Sequence, residues 1–374
     1  MTFGIHIGPN IRQSPYYAAT LAEGVRAFSV YNHMYIPGHF GDPQAEYDRL
    51  IRGVAMWDVA AQRQVEVTGP HAGRLVQWLV TRDISGMKVG QGRYVCLCDT
   101  EGFVINDPVL LKRSDTCYWL SIADSDIALW AQAFGAALGL EAHVGEADAS
   151  PLAIQGPKAA EVAAALFGDW VLELRYFGFR ETELDGIPLL VARSGWSKQG
   201  GFELYLKDAS QGTALWERVR AAGVPYDIGP GAPNDAERIE SGLISYGADL
   251  RRQTLPATPF ELGLERLVSL DAPIDFVGRR ALERLQAAGA RRRRTGVLVA
   301  GDGATANAAP VPLWQGEKEV GIVSEIVWSP RLARCIGVGL VSSDLPEDAR
   351  GLAICLEGAE RPVSLARLPF IGGA

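Results

Sequence analysis

The sequence predicts an α+β fold in two or three domains, and three observations carry that reading. Strand-like runs dominate, at 64–68, 93–98, 117–122, 151–155, 187–193, 202–206, 295–299, 321–327 and 335–341, each with β-branched or aromatic residues between Gly, Pro or polar boundaries. Helix-like segments fall among them irregularly, without the strict alternation of a doubly wound sheet. The stretch beyond residue 290 is mostly strand-like and rich in Gly and Pro, which reads as a small barrel or sandwich. A chain of 374 residues also exceeds one ordinary core. A composition shift near 272–290 separates a 1–275 region from a 276–374 barrel domain.

The helices are placed by their end signals. Residues 70–82 begin Pro-His-Ala-Gly and carry Leu75, Val76, Leu79 and Val80 on one face. Residues 157–167 are rich in alanine, with Pro157 in the first turn. Residues 233–246 carry acids in the first turn. There Arg238, Ser241 and Ser245 would form one helical stripe, with Glu237 and Glu240 as either surface charges or site residues. Gly242 and Gly247 each cost a helix about 1 kcal/mol against Ala, so something should approach them closely.

Composition excludes several classes of function. With 48% hydrophobic and 21% charged residues, the chain is globular rather than disordered. A net charge of −8 argues against a nucleic-acid or anionic-membrane surface. The run Arg291–Arg294 is read as a solvated inter-domain segment. No signal peptide and no apolar run of about 18 residues is present, so the expected compartment is the cytoplasm. Five cysteines without a signal imply reduced thiols, and Cys96-Leu97-Cys98 reads as core packing with Leu97 on the opposite face. The five histidines are scattered, so no metal is expected. GxGxxG and GxxxxGK[ST] are both missing.

Three stretches could carry chemistry. "VARSGWSKQGGFELYL", residues 191–206, joins two apolar strands through eight polar or glycine-rich residues, where a hairpin needs two to five. Glu203 then sits inside an apolar run. It is either the solvent side of an edge strand or a carboxylate aimed into a pocket, where it would need donors. In "GFVINDPVLLK", Asn106-Asp107-Pro108 is a turn or a bulge facing a cavity. Tyr31, Tyr35 and Trp57 are core aromatics or a cage for a small cation.

In order along the chain, "WDVAAQRQVEVTGPHA", "VINDPVLL", "PLAIQGPKA", "ARSGWSKQGGFELY", "ERIESGLISYG", "TPFELGLERLV" and "DFVGRRAL" resemble the folate-dependent aminomethyltransferases of glycine cleavage and their relatives. "VYNHM", "NDPVLLK", "SIADSD" and the Gly195-Trp196-Ser197-Lys198-Gln199 turn are more similar to the family's branch of dimethylsulfoniopropionate demethylases. The resemblance implies a three-lobed cloverleaf around tetrahydrofolate, with a C-terminal β-barrel. It implies methyl transfer from dimethylsulfoniopropionate or a related onium to N5 of tetrahydrofolate. It also implies roles: Glu203, Trp196, Arg238, Tyr94 and Tyr205 at the cofactor, Asp107 and Asn106 in catalysis, and Tyr31, Trp57 and Gln62 at the donor. Asn106 stands where the aminomethyltransferases carry an acid, and Gln62 where the demethylases do. The remaining alternatives are another methyl or aminomethyl donor (dimethylglycine, a methoxy-aromatic, aminomethyl-lipoyl protein) or a folate-binding protein without activity. The last usually carries a cysteine near the glycine turn, and here none lies between Cys117 and Cys335. The expected partners are the donor, tetrahydrofolate and a second copy of the chain.

Overall fold

The computed structural model describes residues 8–301 and 306–372. Its centre is a six-stranded sheet in the order Phe179–Leu184, Ile187–Ala192, Gly201–Leu206, Ser150–Gln155, Ala55–Asp58, Gly229–Gly231. Every pairing is antiparallel except that of 229–231 with 55–57. Side chains alternate across a strand, so each strand has two faces with different duties. Leu152, Ile154, Leu189, Val191, Leu204 and Leu206 point to one face. There they pack on Val162 and Ala163 of helix Ala159–Phe167 and on Leu215, Trp216 and Val219 of helix Gly212–Gly223. The register places Ala192, Glu203, Ala153, Trp57 and Gly231 in one row across the other face.

That second face meets another sheet. Its five strands run His143–Glu146, Gln64–Thr68, Cys117–Ser121, Val109–Ser114, Gln91–Tyr94. In the chain they fall between 55–58 and 150–155, so the second lobe is an insertion into the first. Helices Ala72–Leu79 and Ile127–Ala137 cover its outer side through Leu75, Val76, Leu79 and Ile127. On its inner side Leu111 and Trp119 pack against Leu190, Ala192 and Tyr205 of the central sheet. A closed six-stranded barrel forms the third lobe, from Arg292–Val299 to Ala359–Ala366. Among the described residues no helix is long and apolar enough to cross a membrane.

Buried charge joins the barrel to the rest. Arg238, in helix Asp235–Glu240, has no solvent exposure. Its guanidinium bonds Asp249 at 2.9 Å, Asp235 at 3.4 Å and barrel residue Glu325. Arg294, on the first barrel strand, bonds Asp249 at 3.1 Å and the carbonyls of Gly242 and Leu243. Two residues further along the helix, Glu240 accepts from Tyr47 and from Ser329 and Arg331 of the barrel.

The structure corrects several sequence expectations. The 93–98 run is two strands, Gln91–Tyr94 and Leu97–Cys98, because the chain leaves the five-stranded sheet after Tyr94. The 233–246 helix ends at Glu240, and Gly242 follows at φ +69°, so Arg238, Ser241 and Ser245 do not share a helical stripe. Glu237, Arg238 and Glu240 are buried rather than surface charges. Pro157 lies in the turn before its helix, which starts at Ala159. The arginine run is no solvated linker: Arg292 to Arg294 begin a barrel strand, and Arg292 pairs with Glu261 at 2.8 Å. The Cys96-Leu97-Cys98 reading holds, since Leu97 packs in one core cluster and both cysteines in another.

Removing one partner of a buried ion pair leaves the others uncompensated. Arg238→Met should lower stability by about 3–5 kcal/mol at neutral pH. Crowded carboxylates without their cation protonate readily, so the deficit should shrink as pH falls toward 5. Thermal unfolding at both pH values checks this; an equal deficit would mean that packing, not charge, carries the effect.

Candidate functional site

The long turn after strand 187–192 is shaped by a buried glutamine. Gln155 is fully buried. Its Oε1 accepts from the Ser197 hydroxyl at 2.7 Å, and its Nε2 donates to the Ser194 carbonyl at 3.2 Å. A Cβ on Gly195 would lie 2.0 Å from that Nε2, and one on Gly201 2.2 Å from it. Glu237 fixes the far side: its Oε1 accepts from the Lys198 amide, the Gln199 side chain and the Ser241 hydroxyl. Trp196 is set between them. Its indole N–H donates to the Ile244 carbonyl at 3.1 Å, and the Arg238 guanidinium lies 5.9 Å from its ring centre.

Glu203 is no edge residue. Strand 201–206 is flanked on both sides, and Glu203 is only 5% exposed. The Ser194 and Tyr205 hydroxyls both donate to its Oε2, Tyr205 at 3.2 Å. Its Oε1 has no donor among the described residues. Burial raises its pKa, and the two hydroxyls partly offset that. Burial and then the Glu203 charge push the Tyr205 phenol far up. Desolvation and then Glu203 also raise the phenol of Tyr176, so that ring is close by.

A second carboxylate lies in the NDP segment. The Tyr94 hydroxyl donates to Asp107 Oδ2 at 2.7 Å. Burial pushes the Asp107 pKa up to about 7, against the Tyr94 bond, and the nearby Asp249 charge adds to the rise. The tight hairpin Ala27–Tyr31 to Met34–His39, with Asn32 and His33 at positive φ, brings in Tyr31. The Tyr31 phenol is raised by burial, then by Asp107 and Asp124. Desolvation also raises Tyr246, whose phenol interacts with Arg251, Asp107 and Asp124.

The candidate residues therefore fall into two groups and some outliers. Glu203, Tyr205 and Trp196 surround the glycine turn; Asp107, Tyr94 and Tyr31 form the second cluster. Asn106 is fully buried and its amide is committed: Nδ2 donates to the Ala123 carbonyl and the Ser125 hydroxyl, and Oδ1 accepts from the Ala123 amide. Arg238 is likewise committed to carboxylates. Trp57 is 2% exposed and packs with Leu50, Ala55, Val59 and Ala153, as a core aromatic does. Tyr35 is also core, against Tyr17 and Phe28. Gln62 is half-buried, and its side chain makes no hydrogen bond among the described residues. Sequence reasoning missed Ser194, Gln155, Tyr176, Asp124, Tyr246 and Arg251. "SIADSD" contains Asp124 and "ERIESGLISYG" contains Tyr246; long-range packing alone brings in the others.

A cavity of about 540 Å³ lies beside the turn, lined by Tyr176, Arg193 and residues 199–202. A larger one, about 710 Å³, sits between residues 260–266, the first barrel strand and Pro369; none of the candidate residues lines it. Among the described residues no cluster of His, Cys, Asp or Glu could hold a metal ion.

Comparison with known proteins identifies the fold and family. The GCVT N-terminal domain matches residues 16–272, and the glycine cleavage T-protein C-terminal barrel domain matches residues 292–371. The chain is 37% identical to dimethylsulfoniopropionate demethylase DmdA of Ruegeria pomeroyi over 95% of its own length and 96% of that protein. It is 30% identical to an aminomethyltransferase of Rubrobacter xylanophilus, over 96% and 94% of the two chains. The crystal structure of glycine cleavage system aminomethyltransferase T from Bartonella henselae superposes with a TM-score of 0.83 at 24% identity, covering 96% of this chain and 98% of that one. The three lobes and the closed barrel are that fold, and the chain belongs to the glycine cleavage T-protein family of tetrahydrofolate-dependent enzymes.

Proposed function

We propose that this protein transfers one methyl group from dimethylsulfoniopropionate, or a close onium relative, to N5 of tetrahydrofolate. One observation carries the reading: Asp107 is a desolvated carboxylate that accepts from the Tyr94 phenol, with the phenols of Tyr31 and Tyr246 in its field. Aromatic faces and one carboxylate suit a cation the size of a sulfonium. An aminomethyl donor, with an amine leaving group, would gain from a second acid; Asn106 is not one, and its amide is tied to residues 123–125. The demethylase of Ruegeria pomeroyi supports the choice of donor.

Tetrahydrofolate fits the first group. Its amino-pyrimidinone edge carries adjacent N–H donors, and Glu203 offers an Oε1 without a partner among the described residues while Ser194 and Tyr205 hold Oε2. Trp196 gives a ring beside the turn. Arg238 acts through Trp196 and the surrounding carboxylates rather than by direct contact.

Tetrahydrofolate supplies the N5 lone pair, and the S–CH3 bond electrons return to sulfur as the N5–CH3 bond forms. The sulfonium is already a good leaving group, so the protein's main task is to hold donor and acceptor in line. Positive charge moves from sulfur to N5 and leaves as the N5 proton. Asp107, with a pKa near 7, is matched to receive it. Tyr94 fixes the carboxylate's orientation. Gln62, neutral where the demethylase branch has an acid, leaves Asp107 and Asp124 as the carboxylates beside the donor.

The direct test is anaerobic incubation of the purified protein with tetrahydrofolate and dimethylsulfoniopropionate, with mass identification of the folate. 5-Methyltetrahydrofolate is expected; bound but unmethylated folate would send the search to other donors. Asp107→Asn should lower kcat/KM by at least about a hundredfold. In the wild type kcat/KM should climb with pH and level off above about 7, and the Asn variant should lose that rise.

The same shift has a stability consequence. A carboxyl whose folded pKa is raised binds its proton more tightly in the native state, so its stabilising effect fades as pH climbs from the unfolded value near ~3.9 through about 7. Asp107→Asn should therefore gain in Tm relative to wild type between pH 5 and pH 8. A constant difference would show that Asp107 is not desolvated. Glu203→Gln should weaken tetrahydrofolate binding about tenfold to hundredfold by fluorescence titration, the range for a hydrogen bond to a charged group.

A further inference from the structure

Two adjacent arginines near the Asp107 cluster are treated very differently. Arg252 is committed to Asp99 and Glu101. Arg251 makes one side-chain hydrogen bond among the described residues, from Nη2 to Asp124 Oδ2 at 2.9 Å, and is 39% exposed. Most of its planar fork of donors is free. Yet the side chain is placed with care. Asp124, its partner, is anchored through Oδ1 by the Asn32 amide at 2.8 Å. Below it Gly247 adopts φ +110°, and a Cβ there would lie 3.1 Å from Arg251 Nη2. The close approach that Gly247 permits is that of this guanidinium.

A half-exposed ion pair contributes little stability, so stability alone gives no reason for this arrangement. Its surroundings give one. Asn32 follows Tyr31 in the chain, its backbone N–H bonds Asp124, and Arg251 bonds the other oxygen of Asp124, so a small molecule beside Tyr31 has a carboxylate within reach and a cation within reach. The local charge is laid out for a zwitterion. A guanidinium with a free fork matches a carboxylate in two-point geometry.

We propose that Arg251 recognises the carboxylate of a zwitterionic methyl donor, whose onium end lies between Tyr31 and Asp107; this rests on the methyl-transfer reading above. Arg251 is then a substrate-binding and specificity-determining residue. Asp124 holds its guanidinium in place, and Gly247 gives it room. Donors that lack a carboxylate forgo this contact but keep the reacting centre.

The test compares dimethylsulfoniopropionate with its methyl ester and with trimethylsulfonium, in wild type, Arg251→Met and Arg251→Lys, using tetrahydrofolate as acceptor. Arg251→Met should raise KM for the carboxylated donor about tenfold to hundredfold, as loss of a charged hydrogen bond does. Its kcat should stay within about threefold, and the two uncarboxylated donors should be unaffected. Arg251→Lys should recover part of the loss. Asp124→Asn/Arg251→Met, which removes the carboxylate left unpaired, should show the same pattern. An equal loss on all three donors, or no loss at all, overturns the assignment. If the wild type moves no methyl group from any donor, calorimetric titration with dimethylsulfoniopropionate in the presence of tetrahydrofolate decides. Binding that is lost in Arg251→Met keeps Arg251 as the carboxylate site while the methyl-transfer reading falls. Absent or unchanged binding removes both.

Discussion

The buried guanidinium of Arg238 is the constraint around which the lobes are assembled. A charge with no solvent exposure is tolerated only where its hydrogen-bonding groups are met by opposite charge. Here Asp235 comes from its own helix, Asp249 from the following loop and Glu325 from the barrel. Burial works against the Arg238 charge, but these three carboxylates together drive its pKa further up. Because each comes from a different element, the requirement to neutralise one cation also fixes where the barrel sits. Arg294 repeats the device from the barrel side, through Asp249 and two carbonyls of the 242–243 loop. The loop that carries Ile244 is thereby held. Ile244 in turn holds the Trp196 indole.

This network also separates two carboxylates in different settings. Glu203 stands on a central strand with two hydroxyls on one oxygen, an arrangement that holds its orientation and leaves the other oxygen without a donor among the described residues. Asp107 stands just before the chain enters the second sheet at Val109, with the Tyr94 phenol as its side-chain donor and a pKa near 7. A group that binds a fixed N–H edge is best kept oriented. A group that accepts a proton is best poised near the working pH. Burial raises both; two hydroxyls offset it at Glu203, while at Asp107 the Asp249 charge adds to it.

The fold was largely legible in the sequence, since strand runs such as 64–68 and 202–206 follow from period-two patterning that tertiary contacts reinforce. Where it failed, long-range packing had overruled local propensity. The 233–246 helix stops at Glu240 because Gly242 turns left-handed against Pro369, more than a hundred residues away. Arg292 to Arg294 look solvated in isolation, but Glu261 and Asp249 bring in the charges that allow a strand there. The candidate site was legible in part. Glu203 and Asp107 stand out as a polar group inside an apolar run and as a turn former, and Tyr94 comes from the family resemblance. Ser194, Gln155, Tyr176 and Arg251 carry no local signal, because their partners lie on other strands or loops. Trp57 and Asn106 show the opposite error: a residue type suited to chemistry can be occupied by packing or by a backbone clamp.

The eight residues between strands 187–192 and 201–206 now have a physical reason. A two-residue turn would have closed the hairpin and brought no side chain back toward the sheet. The longer path wraps the buried Gln155, which needs the bare backbone of Gly195 and Gly201 on either side of its amide. Ser197 satisfies one end of that amide and the Ser194 carbonyl the other. Once the path is fixed, the Ser194 hydroxyl falls against Glu203, and Trp196 projects toward Arg238 and Ile244. The glycines, the serines and the tryptophan are therefore one unit. A neutral amide organises the turn, and the turn delivers a hydroxyl to the carboxylate and a ring to the joint between lobes. Glu237 seals this unit to the helix that carries Arg238. The turn beside Glu203 and the neutralised charge beneath the barrel are thus two ends of one connected construction.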